Sequence, residues 1–260
     1  MNPTIIDISL WDLMTVYSLL LMSIGLAHLL KSGQGRDIFW AGLRMFVQLL
    51  LVGYVLHLVF ALKTALPVLL VLVVMIGFAV QTIGARVQVK MPHFYRVVGT
   101  SILFGCGGMT FFFCILVIGL EPWYDPRYLI PLAGMVIGNS MTGASLAVER
   151  LNAEFRERRE EIETALCLGS SVQLAAAPAV SSAFRAALIP SVNSMAAMGL
   201  VFLPGLMTGQ ILSGTEPLIA VKYQIAIMCV ITGSVALTTF LILRLGYRSY
   251  FTPYQSLREE

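Results

Sequence analysis

Five methionines and one asparagine are the side chains of this chain best suited to handling a metal. Met135, Met141, Met195, Met198 and Met207 sit in apolar stretches, and Asn139 lies between the first two. Thioether sulfur is a soft ligand, better matched to Cu(I) than to Fe(II), and a group that passes a metal onward should hold it weakly. On that chemistry Met135, Asn139, Met141, Met195 and Met207 form a candidate substrate route. The competing reading is core filling, for which flexible methionine is well suited. No fixed metal site is legible, because His28, His57 and His93 fall in separate segments. Cys106, Cys114, Cys167 and Cys229 form no C-x-x-C pair and read as small buried side chains. No G-x-x-x-x-G-K-[ST] phosphate loop occurs, and the run GLMTGQ at 205–210 lacks the lysine. The chain therefore reads as a non-enzyme, with no cofactor of its own.

The elements that carry these residues follow from composition. Of 260 residues, 58% are hydrophobic and only 12% charged, against about 25% charged in an ordinary soluble domain. The mean hydropathy is +0.84. The charges cluster, and between the clusters lie apolar runs near the ~20 residues that a bilayer-crossing helix needs. Spans are expected at about 10–30, 45–62, 65–83, 97–120, 129–148, 192–212 and 218–243. The segment 170–189 reads as a moderately apolar, small-residue stretch. The start, with no basic n-region and no cleavage site after its first apolar run, reads as a retained helix and not a signal peptide. No polar stretch is long enough to bury a core of its own. The expectation is an all-α, polytopic transmembrane helical bundle of about seven spans, with residues 1–260 as a single membrane domain.

Basic residues orient it. Lys31, Arg36 and Arg44, then Arg86, Lys90 and Arg96, then Arg150, Arg156, Arg158 and Arg159, then Arg244, Arg248 and Arg258 fall on one side. The other side holds Lys63 and Arg127, with Lys222 near its edge. Positive-inside bias places the N-terminus outside and the C-terminus in the cytoplasm, which requires an odd number of spans. The net charge of +3 reports those basic loops, not a nucleic-acid site. Asp7, Glu121, Asp125 and Glu216 lie on or near the outer side, and Asp12 near the outer end of the first span. A transporter driven by an ion gradient would need coupling carboxylates deep in the membrane, and a membrane enzyme a cluster of acids, bases or ligands in one leaflet. Neither pattern is present.

The stretch 153–168, AEFRERREEIETALCL, has strong helix formers and no Gly or Pro. Glu154 and Arg158 stand four apart in the favourable order, and Phe155, Ile162, Ala165 and Leu166 share one face. An amphipathic helix continuous with the fifth span is expected. Gly169 should end it in a left-handed conformation, and Ser170 or Ser171 should cap the next helix. The helix–Gly–helix elbow is either a solvated loop or a docking element whose apolar stripe a cytoplasmic partner covers. Gly134 and Gly138, and Gly205 and Gly209, are G-x-x-x-G pairs that permit close helix approach. Asn139 beside them needs a polar partner in hydrocarbon, at a seam or a water-lined path. Pro190 and Pro204 are expected to bend or break the sixth span, and Arg185 to face cytoplasm or lipid phosphate.

These residues carry a resemblance. The run 163–169, ETALCLG, resembles the EAA-x-x-x-G signature of ABC importer permeases, with Thr164 at the middle alanine and Ile189-Pro190 further from the glycine than the I-x-L-P element of that signature. The departures point to a narrower family. ALCLGSS, the run FRAALIPSVNSMAAMGLVFLPGLMTGQILSGTEPLIAVKYQI, PLAGMVIGNSMTGASLAVERL at 131–151, and the stretch from Asp37 to Tyr54 with Arg44 and Gln48 are similar to FetB-type permeases linked to bacterial iron export. The resemblance covers essentially the whole chain. It implies a multi-pass subunit of the bacterial inner membrane with a cytoplasmic coupling segment at about 149–190, in which Glu163, Ala165 and Gly169 couple to a cytoplasmic ABC ATPase that binds the ATP. It implies metal export, iron first, although plant relatives tied to aluminium tolerance leave the substrate open. Half a transporter would need a second copy of itself to enclose a pathway. An ion-gradient transporter, or a non-transporting scaffold or sensor, remains the alternative.

Overall fold

The structure is a computed structural model that describes residues 9–31, 33–62, 64–87, 93–252 and 256–257. Asp7, Lys63, Lys90 and Arg258 of the charge pattern lie outside those residues. Among the described residues the named elements are all helical, and seven helical stretches are long and apolar enough to cross a membrane. They are Trp11–Leu29, Gly35–Leu62, Ala65–Arg86, Phe94–Val117, Pro126–Glu157, Val172–Ala197 and Pro217–Tyr250.

The described chain divides into two compact units. One contains α1 (Leu10–Leu29) and α2 (Gly35–Leu62). Here Asp12 has a local role. Ser9 Oγ accepts from the Asp12 amide at 3.3 Å and the Ser9 amide donates to Asp12 Oδ2 at 3.0 Å, a reciprocal capping box that starts α1. Gly42 lets α2 approach α1, since a Cβ there would lie 2.7 Å from Leu20 Cδ2. Tyr17 and Phe46 meet edge to face at 5.9 Å.

The other unit contains α3 (Ala65–Arg86), α4 (Phe94–Ile102), α5 (Gly108–Phe112), α6 (Pro126–Glu157), α7 (Arg159–Cys167), α8 (Val172–Ala197), most of α9 (Gly205–Leu212) and α10 (Pro217–Gly246). Two wide π-helical stretches, Leu103–Gly107 and Phe113–Val117, join α4 and α5 into one span. Asp125 caps α6 by accepting from the Arg127 amide at 2.9 Å, and Pro126 occupies its first position, where a missing N–H costs nothing. α6 is the centre of this unit and packs against α3, α8 and α10. The contacts are made by small side chains. A Cβ on Gly143 of α6 would meet Val235 Cγ1 of α10 at 2.7 Å and the Ala187 carbonyl of α8 at 3.3 Å. One on Gly105 would overlap the Thr238 hydroxyl and lie 3.0 Å from its Cα. Ser140 and Ser234 hydrogen-bond at 3.0 Å in the same layer.

Two expectations change here. The sixth span is Val172–Ala197, not 192–212. Pro178 and Pro190 lie inside α8 without ending it. Both are exposed. The break comes later, at Gly199 with φ +84°, whose amide donates to the Phe202 carbonyl at 3.0 Å. Of the G-x-x-x-G glycines, Gly134 would place a Cβ 3.3 Å from Met75 Cε of α3, whereas a Cβ on Gly138, Gly205 or Gly209 would meet nothing within 4 Å; the approaches around α6 and α10 are tighter at Gly105 and Gly143.

Candidate functional site

α6 runs on past its apolar part and ends at Glu157, and Arg158 (φ −107°, ψ 23°) turns the chain into α7. The expected continuous helix is thus two helices with one hinge residue. α7 closes as its sequence requires. The Gly169 amide donates to the Leu166 carbonyl and the Ser170 amide to the Ala165 carbonyl, each at 3.0 Å. That pair of bonds is a Schellman closure, with Gly169 at φ +89°. Ser171 then caps α8, its hydroxyl accepting from the Leu174 amide at 3.4 Å.

The charged side of the elbow is tied to itself. Arg159 Nε donates to Glu163 Oε1 at 2.8 Å, and Arg158 meets Glu161 at 2.7 Å. The Glu154–Arg158 pair is loose at 3.8 Å. Glu154 instead is 5% exposed, accepts from the Ser182 hydroxyl of α8 at 2.6 Å, and pairs with Arg150 at 2.6 Å. Arg150 Nε also donates to Ser182 Oγ at 3.1 Å. This network pins the end of α6 to α8 just behind the elbow.

The apolar stripe is covered by the chain's own residues, which corrects the expectation that a partner covers it. Phe155 and Ile162 are buried with Ala175, Ala176 and Ala179 of α8 and with Tyr247 and Phe251, while Ala165 and Leu166 pack against the same cluster. The Phe155 ring lies 4.7 Å from that of Tyr250 and 5.7 Å from that of Phe251, centroid to centroid. Tyr250 in turn donates to Asn152 Oδ1. What faces outward is the tip: Leu168 is 84% exposed, Leu174 69%, and Cys167 is exposed too. Beside it lies a cleft of about 200 Å³ between α7 and α8, lined by Ile162, Ala165, Ser170, Leu174 and the charged Arg158 and Glu161.

The candidate pathway residues are less concentrated. Asn139 is exposed on α6 and donates to the Met135 carbonyl of its own helix at 2.8 Å, so its amide finds a partner without leaving the helix. Met135 and Met141 are half-buried on α6, and Met207 half-buried on α9. Met195 of α8 is exposed, and its sulfur accepts from the Thr232 hydroxyl of α10 at 3.7 Å. Met198, just past α8, sits 3.8 Å from Gln224 Nε2. Among the described residues no group of three or more His, Cys, Asp or Glu side chains could hold a metal ion. Cys106 and Cys114 are buried as expected, whereas Cys167 and Cys229 are exposed.

The architecture and the elbow meet a known group of proteins. The profile of the family described as "Uncharacterised protein family (UPF0014)" matches residues 10–251, from the start of α1 to beyond α10. The chain belongs to the UPF0014 family. It is 40% identical over 238 residues to the UPF0014 membrane protein slr1647 of Synechocystis, covering 90% of this chain and 92% of that one. It is 30% identical over 239 residues to a protein of Escherichia coli named "Probable iron export permease protein FetB", covering 92% and 91%. It is 34% identical over 215 residues to the Arabidopsis thaliana protein ALUMINUM SENSITIVE 3, covering 83% and 77%. No solved structure matches. This UPF0014 member is a membrane protein with seven apolar helices long enough to span.

Sequence reasoning passed over the Glu154–Ser182 contact. The signal available was a carboxylate on the apolar side of an amphipathic helix, four residues from arginines in both directions. Ser182 lies far along the chain, and only the antiparallel packing of α6 against α8 brings it within reach.

Proposed function

We propose that this chain is the permease subunit of an ABC transporter of the bacterial inner membrane, exporting metal, iron first, with ATP hydrolysed by a separate cytoplasmic subunit. The observation that carries the reading is the elbow. A short helix between the fifth and sixth spans is held by its own apolar face, packed on α8 and the C-terminal aromatic residues, and presents a Schellman-closed tip with Leu168 outward. Such an element transmits force between a partner seated on its tip and the spans on either side, because it cannot give way internally. Glu163, Ala165 and Gly169 serve this coupling: Glu163 through its ion pair, Ala165 and Gly169 through the closing bonds. The name of the Escherichia coli relative supports export of iron.

In this reading the N-terminus is outside, the C-terminus and the elbow from the end of α6 to the start of α8 are cytoplasmic, so that the coupling segment is shorter than 149–190, and a second copy completes the pathway. Residues 1–260 act as one permease, and Met135, Asn139, Met141, Met195 and Met207 belong to its route. The test is co-purification with candidate ABC ATPases, followed by metal-stimulated ATP hydrolysis and ATP-dependent metal movement in liposomes. A tight ATPase partner with metal-stimulated turnover is expected. Transport that follows an ion gradient and ignores ATP would overturn the reading. Within it, changing Asn139 or Met141 should impair transport without unfolding the protein.

A further inference from the structure

α8 and α10 run antiparallel. Met195 near the end of α8 meets Thr232, whereas Ala175 near its start clusters with Tyr247, just past the end of α10. Toward the elbow the two helices leave a groove of about 310 Å³ between them. Both line it: Val180 and Phe184 from α8, and Phe240 and Leu243 from α10, with Tyr247 beyond. Leu243 and Tyr247 are buried and form its floor, while Phe240 is 54% exposed at its rim. Its polar lining is Gln173, Ser181 and Arg244. The groove begins at the polar end of both spans. Gln173 follows directly on the turn that starts α8, and Arg244 lies in the last turn of α10. From Gln173 to Phe184 the lining runs roughly 16 Å along α8, at 1.5 Å per residue. One leaflet of hydrocarbon is about 15 Å thick, half of a ~30 Å core.

The lining suits an occupant with an apolar tail and a negative head. No carboxylate lines the groove. Arg244 is exposed, and among the described residues it has no ion-pair or hydrogen-bond partner. The acids of the elbow are matched elsewhere, Glu154 by Arg150, Glu161 by Arg158 and Glu163 by Arg159. The positive dipole end of α8 and the negative end of α10 lie side by side here and offset each other. The arginine therefore sets the sign. A helix is too thick to be the occupant. At a diameter of ~10 Å over the same length it fills roughly 1,250 Å³, about four times the volume of the groove. A single acyl chain is slender enough, and basic pockets between spans at the polar edge of a membrane are headgroup sites.

We propose that the groove between α8 and α10 binds one anionic phospholipid, with an acyl chain along Val180, Phe184 and Phe240 and the phosphate on Arg244. A planar guanidinium takes phosphate oxygens two at a time, and the Gln173 amide, nearer the elbow, supplies further donors. The lipid also braces the elbow. Tyr247 lines the groove and belongs to the buried cluster that holds Phe155 and Ile162, and Val180 and Phe184 pack against that cluster. A seated chain covers its open side. The proposal goes beyond the permease reading and needs only a bilayer around the spans.

The test uses the full chain purified in detergent, without any ATPase. Phosphatidylglycerol and phosphatidylcholine with identical acyl chains are titrated in, and binding is read by native mass spectrometry and by thermal unfolding. Unfolding without added lipid confirms that each variant is folded. The wild type should retain phosphatidylglycerol in preference and unfold at a higher temperature with it. Arg244→Gln should weaken that binding about fivefold. Arg244→Lys should keep most of it, since an ammonium still meets phosphate as a point charge. Ala177→Trp, which fills the groove and leaves the arginine in place, should lower retention of both lipids. Arg156→Gln removes an exposed arginine outside the groove and should bind like the wild type. Equal binding of the two lipids, or phosphatidylglycerol bound by Arg244→Gln or Ala177→Trp as by the wild type, would overturn the proposal. So would an equal loss in Arg156→Gln, which would reduce the effect to net charge. Inorganic phosphate giving the same stabilisation alone would make this a free-anion site and overturn it too. A change of oligomeric mass in Ala177→Trp would do the same, since the groove would then seat a second copy.

Discussion

Replacing Gly169 with alanine tests the elbow through its backbone alone. Gly169 sits at φ +89°, and a Cβ built on it meets nothing within 4 Å. The substitution therefore adds no clash, and its whole cost is that of an L-residue in the left-handed region, about 1–2 kcal/mol. That is a factor of roughly 5–30 in the population of the closed turn. The bonds at stake are those from Gly169 and Ser170 to the carbonyls of Leu166 and Ala165. The buried cluster beneath, with Phe155, Ile162 and Tyr247, is untouched, so the unfolding temperature of the purified chain should fall by only a few degrees. If the elbow couples, ATP-driven transport should drop severalfold while ATP hydrolysis by the partner persists. Gly169→Asn is the control, since asparagine visits this region more readily, and it should lie between glycine and alanine. The assay is paired transport and hydrolysis in proteoliposomes. Equal transport per ATP in all three proteins would refute the argument that the geometry at Gly169 matters.

Other outcomes follow from particular contacts. Phe155→Ala removes a buried ring stacked near Tyr250 and Phe251 and should cost about 3–5 kcal/mol of stability, read as a large loss of unfolding temperature in detergent. Leu168→Asp, on the exposed tip, should leave that temperature unchanged and abolish binding of the ATPase in a pull-down. Gly105→Ala must push against Thr238 and should cost about 1–3 kcal/mol by overpacking, whereas Gly138→Ala should be tolerated, a contrast that thermal unfolding resolves. Ser182→Ala should cost about 1 kcal/mol and loosen the elbow, visible as faster hydrogen exchange at the end of α6. With Cys229 replaced by serine, the exposed Cys167 should react with a membrane-impermeant maleimide in inside-out vesicles and stay silent in intact spheroplasts.

Seven apolar runs and the glycine-closed elbow were legible from residue types, because hydrophobic length and the left-handed preference of glycine are local properties. The run ETALCLGSS states its own ending, and the structure closes it with the expected glycine and with Ser171 as the following cap. Ser9 and Asp12 carried a readable capping signal as well. The sixth span was misplaced by some twenty residues at its start. Proline and small residues make 172–190 look like a broken, weakly apolar stretch, yet α8 runs through both Pro178 and Pro190 because its alanine face is buried against α6 and α10.

What covers the apolar stripe and which glycines make contact were decided by tertiary structure alone. The first depends on α8 lying antiparallel against α6, and the second also on α10, which brings Thr238 to Gly105 and Val235 to Gly143. Ser182 reaches Glu154 and the alanines of α8 bury Phe155 and Ile162 only because those faces were brought together. By itself the sequence determined that the chain lives in a membrane and carries a rigid turn between two of its spans. Packing decided that the turn's greasy side is its own core, leaving its tip outward.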